Sequence, residues 1–277
     1  MPASLTPDQI DDYNRSGVLF PIPVLSPEQI EVSQKGYYDL MDAFGRKPKS
    51  VELAVTHLNF PWAYELVTHP AVLDAVEGVL GPDLLVWASS IFAKPPRDPG
   101  YITFHQDATY WGLGSPQVTT AWIALSPSTV ENGCMRVVPG TQTQQIHPHK
   151  ETWADNNLLS RGQEIQVEVN EDEVVDVVLE PGQMSLHHVN IIHGSNANPS
   201  DIPRIGFAIR YITPKVKQIK PDHPAILARG EDRYGHYELM KEPPAPRSTK
   251  ETLGVHLAIA AHHAKEITST KAATPKS

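Results

Sequence analysis

The stretch PGQMSLHHVNIIHGSNANPSDIPRIGFAIRY, Pro181 to Tyr211, decides the fold. It reads as two strands, near Gln183 to His188 and Ile205 to Ile212, joined by a polar region rich in Asn, Pro and Asp that offers no helix. On the second strand alternate residues share a face, so Arg204, Gly206 and Ala208 point one way and Ile205, Phe207, Ile209 and Tyr211 the other. The bulky set suits packing between layers. Small residues beside an inward arginine leave space for a bound acid. Working outward, the same texture of short apolar runs broken by Pro, Gly and Asn begins at Leu84. Strands are predicted near Leu84 to Ala88, Ser90 to Lys94, Ile102 to Gln106, Val118 to Ala124, Met135 to Val138, Ile165 to Val169 and Val174 to Leu179. So many strands without long helices between them point to a double-sheet jelly roll or a barrel.

Before Leu84 the chain reads as helical. Thr6 with Pro7 and Gln9, and Ser26 with Pro27 and Gln29, each offer a cap, a proline at the first helical position and the glutamine of a capping box. Helices are predicted after both, the second running to about Phe44, and a third over Ala71 to Leu80 before the Gly81-Pro82 break. Between the first two, VLFPIPV at Val18 to Val24 carries Pro21 and Pro23, which cannot donate to a ladder, so as a strand it belongs at a sheet edge. Gln142 to Gly162 is too long for a hairpin and too polar for a core, which makes it a candidate lid. GEDRYGHYE, Gly230 to Glu238, is a second candidate cover. A helix is predicted over about Lys250 to Ile267, ahead of a frayed end. The expected organisation is one domain over 1–277, with a helical buttress at 1–83, a β core at 84–213 and an extension at 214–277.

The 277 residues carry 23 basic and 32 acidic side chains, a formal charge of -9. This acidic balance, with no block of Lys and Arg, argues against a nucleic acid or an anionic membrane as the main partner and favours a small molecule. No apolar run approaches the roughly 20 residues that span a bilayer, and the polar, acidic start is unlike a signal peptide, so a cytoplasmic location is expected. The single cysteine, Cys134, excludes an internal disulfide and a cysteine-cluster metal site.

Chemistry-bearing residues concentrate around the strands. In YITFHQDATYWGL, His105 and Asp107 stand two apart at the end of a predicted strand, where both project from one face. By composition roughly one His-x-Asp is expected in such a chain, so the tripeptide alone is weak. His193 falls just past a predicted strand and Arg204 heads the next. Two histidines and one carboxylate on one side of a metal, with the opposite positions open, suit a non-haem Fe(II) oxygenase. Arg204 supplies a planar fork for a carboxylate.

The order of these segments resembles the phytanoyl-CoA dioxygenase family of Fe(II)- and 2-oxoglutarate-dependent oxygenases. The similar segments are FAKPP at Phe92 to Pro96, HQD at His105 to Asp107, TAWIALSPSTVENGCMRVVPGT at Thr120 to Thr141, LHHVNIIHGS at Leu186 to Ser195 and PRIGFAIRY at Pro203 to Tyr211. The resemblance implies a mainly β, double-stranded β-helix core of jelly-roll, cupin-like type with flanking helices. It implies His105, Asp107 and His193 as catalytic iron ligands, Arg204 as the partner of the distal carboxylate of 2-oxoglutarate, Ser195 as the hydroxyl that assists it, and Trp122 as an aromatic wall of that pocket. His188 matches a histidine near the distal ligand. A regular strand would put His188 and His193 on opposite sides, so either the chain bends near Asn190 or His187 is the inward one. The carboxylate of Asp107 favours hydroxylation over halogenation, because related halogenases leave that position small.

The implied activity is hydroxylation of a C-H bond with 2-oxoglutarate and O2 as cosubstrates and succinate and CO2 as products. Candidate substrates include an acidic or zwitterionic compound such as an aminoalkylphosphonate, a natural-product intermediate, or an acyl thioester; the lack of a long basic patch favours a free small molecule. Two other classes stay open: a cupin-like metalloenzyme that needs no 2-oxo acid, and a non-catalytic jelly-roll binding module. Lys94 either reaches a cosubstrate or substrate anion, or is a solvated strand-end lysine. Arg210 is either a second anion site or half of a buried salt bridge. Thr109, Tyr110 and Trp111 either wall the pocket or belong to the core. Gln106 points away from the metal face, Cys134 is an inert buried thiol, and His147, His149, His256, His262 and His263 are expected to be solvated.

Overall fold

A computed structural model describes residues 4–159, 162–218 and 223–269 of the chain. The helices are α1 (Pro7–Ser16), α2 (Pro27–Phe44), α3 (Pro61–Val67), α4 (Pro70–Leu80), the single turn α5 (Ala108–Trp111) and α6 (Thr249–Ser269). The strands are β1 (Val18–Pro23), β2 (Leu84–Lys94), β3 (Ile102–His105), β4 (Val118–Ala124), β5 (Met135–Val138), β6 (His149–Glu151), β7 (Gln163–Ile165), β8 (Val175–Val177), β9 (Gln183–His188), β10 (Ile192–Ser195), β11 (Arg204–Ile212) and β12 (Ile226–Arg229). Thr6 and Ser26 form full capping boxes: each Oγ accepts from the glutamine N-H three residues on, and each glutamine Oε1 accepts from the cap N-H. Among the described residues no helix is long and apolar enough to cross a membrane.

Six strands form one sheet in the order β1-β9-β4-β11-β2-β12, and four form another in the order β3-β10-β5-β8, with β6 and β7 as a separate ribbon. All the ladders are antiparallel. Two such sheets make a jelly roll of the cupin-like kind. The alternation on β11 divides its neighbours. Ile205, Phe207, Ile209 and Tyr211 enter the main apolar cluster with Tyr37, Leu40, Leu66 and Val76 of the helices, where Tyr211 donates its hydroxyl to Val67 O at 2.9 Å. Arg204, Ala208 and Arg210 line a cavity on the opposite face.

Several elements differ from expectation. Leu84 to Lys94 is one strand, because Ser89 and Ser90 keep their pairing with Ile209 and Ala208 on β11. Their hydroxyls are used as well, Ser89 with His57 Nδ1 at 2.7 Å and Ser90 with Arg210 at 2.8 Å. His193 lies inside its own strand, β10, held between β3 and β5. The runs expected at Ile165 to Val169 and Val174 to Leu179 shorten to β7 and β8, since Val167, Val169 and Val174 pack as side chains on Val138, Ile165 and Ile192 instead of extending a ladder. Helix α3 and strands β6 and β12 were not anticipated: β6 reads HKE, and β12 is a short apolar run beyond the expected core. The end of the 214–277 extension lies outside the described residues.

Candidate metal centre and active site

His105 closes β3 and pairs in register with His193 on β10. The strand does not continue to Asp107, which takes helical geometry (φ -59°, ψ -39°) at the start of α5. So the His and Asp converge through a turn and not through strand alternation. Asp107 Oδ1 lies 3.3 Å from His105 Nε2 and Oδ2 lies 3.9 Å from His193 Nε2. All three donor atoms fall within 4.8 Å of one another. His105 Nδ1 donates to Thr103 O at 2.9 Å and His193 Nδ1 donates to Ile191 O at 3.1 Å. A carbonyl only accepts, so each Nδ1 carries a proton, which leaves each Nε2, the nitrogen turned toward Asp107, as the one that would bind a metal.

Burial would raise the Asp107 carboxyl, but the contact with His105 and the charges of His193, His105 and Arg210 hold it well below the usual carboxylate range. Burial, with the His105 charge, pushes His193 down to about 4. An ionised carboxylate and a neutral imidazole therefore await a cation at neutral pH. Two nitrogens and one carboxylate, opening on a cavity, fit Fe(II).

The facing sheet supplies the second half. Arg204 is 1% exposed, and its Nε and Nη2 are buried with no partner. A buried guanidinium so placed is costly until a carboxylate completes it, which fits the distal carboxylate of a diacid. Burial lowers Arg204 only to about 10, so it keeps its charge. Its guanidinium lies 5.4 Å from the Trp122 ring centroid. Gly206 does not leave room for an acid, as strand parity suggested; that volume holds the Trp122 indole, since a Cβ at Gly206 would lie 1.8 Å from Trp122 Cζ2. Ser195 lines the cavity.

Lys94 is neither solvated nor on the cavity wall: it is fully buried, and its Nζ donates to Ser195 Oγ at 2.7 Å, to Gly133 O at 3.3 Å and to Asn196 O. Burial, and then the Arg204 charge, push it down to about 6. Its reach toward a cosubstrate runs through Ser195.

His187, not His188, faces the metal centre. It is 2% exposed, pairs with Thr120 across β9 and β4, and its ring centroid lies 5.0 Å from that of His193. The turn between β9 and β10 resets the alternation. His188 instead accepts from Asn190 N through Nδ1. Gln106 points away, donating to Asn190 O at 2.8 Å and accepting from His147 N at 2.9 Å. Its backbone N-H donates to His149 Nε2 at 3.0 Å. His149, His256 and His263 are not solvated: His149 is half-buried, His256 donates through Nε2 to Glu52 O at 2.8 Å, and His263 is buried at the cavity wall. Cys134 is 2% exposed, its thiol pushed up to about 11 by burial.

The cavity encloses about 1260 Å³, open space at its mouth included. Leu158 and Leu159 of the expected lid line it, whereas no described residue of 230–238 does, and Tyr237 packs instead with Trp87 and Val216. Trp111 lines the cavity, Thr109 contacts His149, and the Tyr110 side chain lies outside the described residues. Thr120, Ser90 and Phe92 also line it and were missed, although they share strand faces with Trp122 and Lys94 and parity alone would have found them.

Facing sheets with two histidines on one and an aspartate in the turn that follows it, and an unpaired inward arginine on the other, define the architecture of the non-haem Fe(II), 2-oxoglutarate-dependent oxygenases. The chain matches the family model of phytanoyl-CoA dioxygenase (PhyH) over residues 13–206 and belongs to that family. It is 29% identical over 175 residues to a probable phytanoyl-CoA dioxygenase of Caenorhabditis elegans, covering 59% of this chain and 56% of that protein. The chain spans about half the length of the phytanoyl-CoA dioxygenases it matches. Apo ThoJ, a non-heme monooxygenase, is similar at 31% identity with a TM-score of 0.79, covering 95% of this chain and 99% of that one. CytC3, solved with Fe(II) and alpha-ketoglutarate, shares the fold at a TM-score of 0.67 and 22% identity, covering 88% of this chain and 96% of that one.

Proposed function

We propose that this protein hydroxylates a C-H bond of a small molecule, using Fe(II) held by His105, Asp107 and His193, consuming 2-oxoglutarate and O2 and releasing succinate and CO2. One observation carries the reading: a triad suited to a metal, from one sheet and the turn that follows β3, and a guanidinium with two unpartnered buried nitrogens on the other sheet, open into the same cavity. Bound Fe(II) supplies the redox chemistry that couples decarboxylation of the keto acid to oxidation of the substrate.

The chain's own residues bind, orient and exclude water. Arg204 takes the distal carboxylate as a fork, and Ser195, held by Lys94, adds a hydroxyl beside it. Trp122 covers the guanidinium and keeps that pair out of water, which strengthens it. Asp107 fills the position a halide would need, so the reading is hydroxylation. A jelly roll working without a 2-oxo acid would have no use for Arg204.

The test is anaerobic addition of Fe(II) and 2-oxoglutarate. A visible charge-transfer band is expected in the wild type, lost in His193→Ala and, at limiting 2-oxoglutarate, in Arg204→Ala. A band unchanged in both variants would remove the site assignment. Succinate release on admitting oxygen, screened over small-molecule substrates, separates an oxygenase from a binding module.

A further inference from the structure

Arg210 stands six residues beyond Arg204 on β11 and lines the same cavity, yet the cosubstrate chemistry has no role for it. Its Nη1 donates to Ser90 Oγ at 2.8 Å, and its Nε is buried without a partner. The guanidinium carbon lies 5.4 Å from the Trp111 ring centroid and 5.6 Å from that of Phe92. No carboxylate of the described residues forms an ion pair with it. Asp107 feels its charge, but the Asp107 oxygens face His105 and His193.

The other arginines show that this is not how the chain usually treats one. Arg46 is paired with Glu52, Arg97 with Asp201, and Arg229 with both Asp74 and Glu77. Acids are supplied where arginines meet solvent and withheld from the two that line the cavity. Arg210 is half-buried, and a guanidinium on a cavity wall with a buried, unpartnered Nε and a single hydroxyl for company has room on its fork for an oxyanion. Arg204 and Arg210 are also separate subsites: six residues of extended strand set their Cα atoms roughly 20 Å apart, and each has its own aromatic neighbours, Trp122 for one and Trp111 with Phe92 for the other.

We propose that Arg210, with Ser90, anchors the molecule that is oxidised, and that this molecule carries a carboxylate or phosphonate on an apolar body. The oxyanion sits on the Arg210 fork and the body lies along the apolar wall that Val51, Ala54 and Ala88 share with Trp111 and Phe92. The carbon to be oxidised is thereby presented toward His105, Asp107 and His193. The substrate assignment rests on the oxygenase reading above; the anion site itself does not.

The test loads the protein with Fe(II) and 2-oxoglutarate under argon and titrates it calorimetrically with 3-phenylpropionate, its uncharged amide 3-phenylpropionamide, and 2-phenylethylphosphonate. The wild type is expected to bind at least one oxyanion about tenfold or more tightly than the amide. Arg210→Met is expected to bind acid and amide alike while keeping the charge-transfer band, and Arg210→Lys to retain part of the preference. The tighter oxyanion tells carboxylate from phosphonate. Equal binding of acid and amide by the wild type, no binding of either, or a preference undiminished in Arg210→Met overturns the assignment. If the wild type shows no charge-transfer band, the cofactor reading fails instead, and the comparison of acid with amide still decides for or against Arg210.

Discussion

Gly206 is occupied by its neighbour. With a Cβ position 1.8 Å from Trp122 Cζ2, any side chain there would displace the indole that lies on Arg204. Gly206→Ala is therefore expected to destabilise the protein by about 1–3 kcal/mol through overpacking and to raise the 2-oxoglutarate concentration that half-saturates the charge-transfer band. Adding Trp122→Phe trims the indole to a single ring and should recover stability without recovering cosubstrate affinity. Denaturant midpoints and band titrations on the single and double variants check this. If Gly206→Ala alone leaves both measurements unchanged, the indole is not locked against β11, and its part in shielding Arg204 falls. The same scale shows why parity reading succeeded and failed side by side: it assigned Arg204 and Ala208 to the cavity face correctly, but a glycine reads as empty space, and only the cross-strand neighbour decides what fills it.

At the scale of elements, the metal centre depends on how closely β10 approaches β3. A Cβ at Gly194 would lie 2.8 Å from Ile102 O and 3.1 Å from Phe104 N, so this glycine lets the two ligand-bearing strands draw together between His193 and His105. Gly194→Ala is expected to push β3 outward and weaken metal binding about 10- to 100-fold, the range seen when the support of a ligand is disturbed, as read by competition with a chelator. Unchanged metal affinity would mean that the triad tolerates the shift. Elements with local signals were legible in the sequence: both capping boxes, the proline-bearing edge strand β1, and β4, β5, β9 and β11 with their alternating or continuous apolar runs. Strand β10 was not, because IHGS is four residues with a glycine, and its strand character comes from pairing on both sides with β3 and β5. His105, Asp107 and His193 could be named from the resemblance to the family, the His-x-Asp tripeptide alone being weak, and the structure brings the three together. Their mutual geometry could not, since the turn at Asp107 and the reset between His187 and His193 are tertiary.

Across the whole molecule the site joins two sheets that otherwise leave a cavity between them. The helices bury the outer face of the six-stranded sheet, with Phe207 and Tyr211 fully buried there, while the inner face carries Arg204 opposite the sheet that holds His105 and His193. A metal on one sheet and a diacid anchored to the other would tie the layers where packing is thinnest, and any ligand that binds only the folded chain stabilises it by mass action. At a hundredfold excess over its dissociation constant, a ligand adds about 2.7 kcal/mol, which for a chain of this size raises Tm by roughly 5–10 °C. Redox-inert Mn(II) in place of Fe(II) allows the experiment in air. Mn(II) alone is expected to raise Tm, and 2-oxoglutarate to raise it again. His193→Ala should lose both increments, because the keto acid needs the metal, whereas Arg204→Ala should keep the Mn(II) increment and lose that of 2-oxoglutarate. Were Arg204→Ala to gain as much from 2-oxoglutarate as the wild type, the second sheet would have no part in holding the cosubstrate, and the cavity would be closed by the metal centre alone.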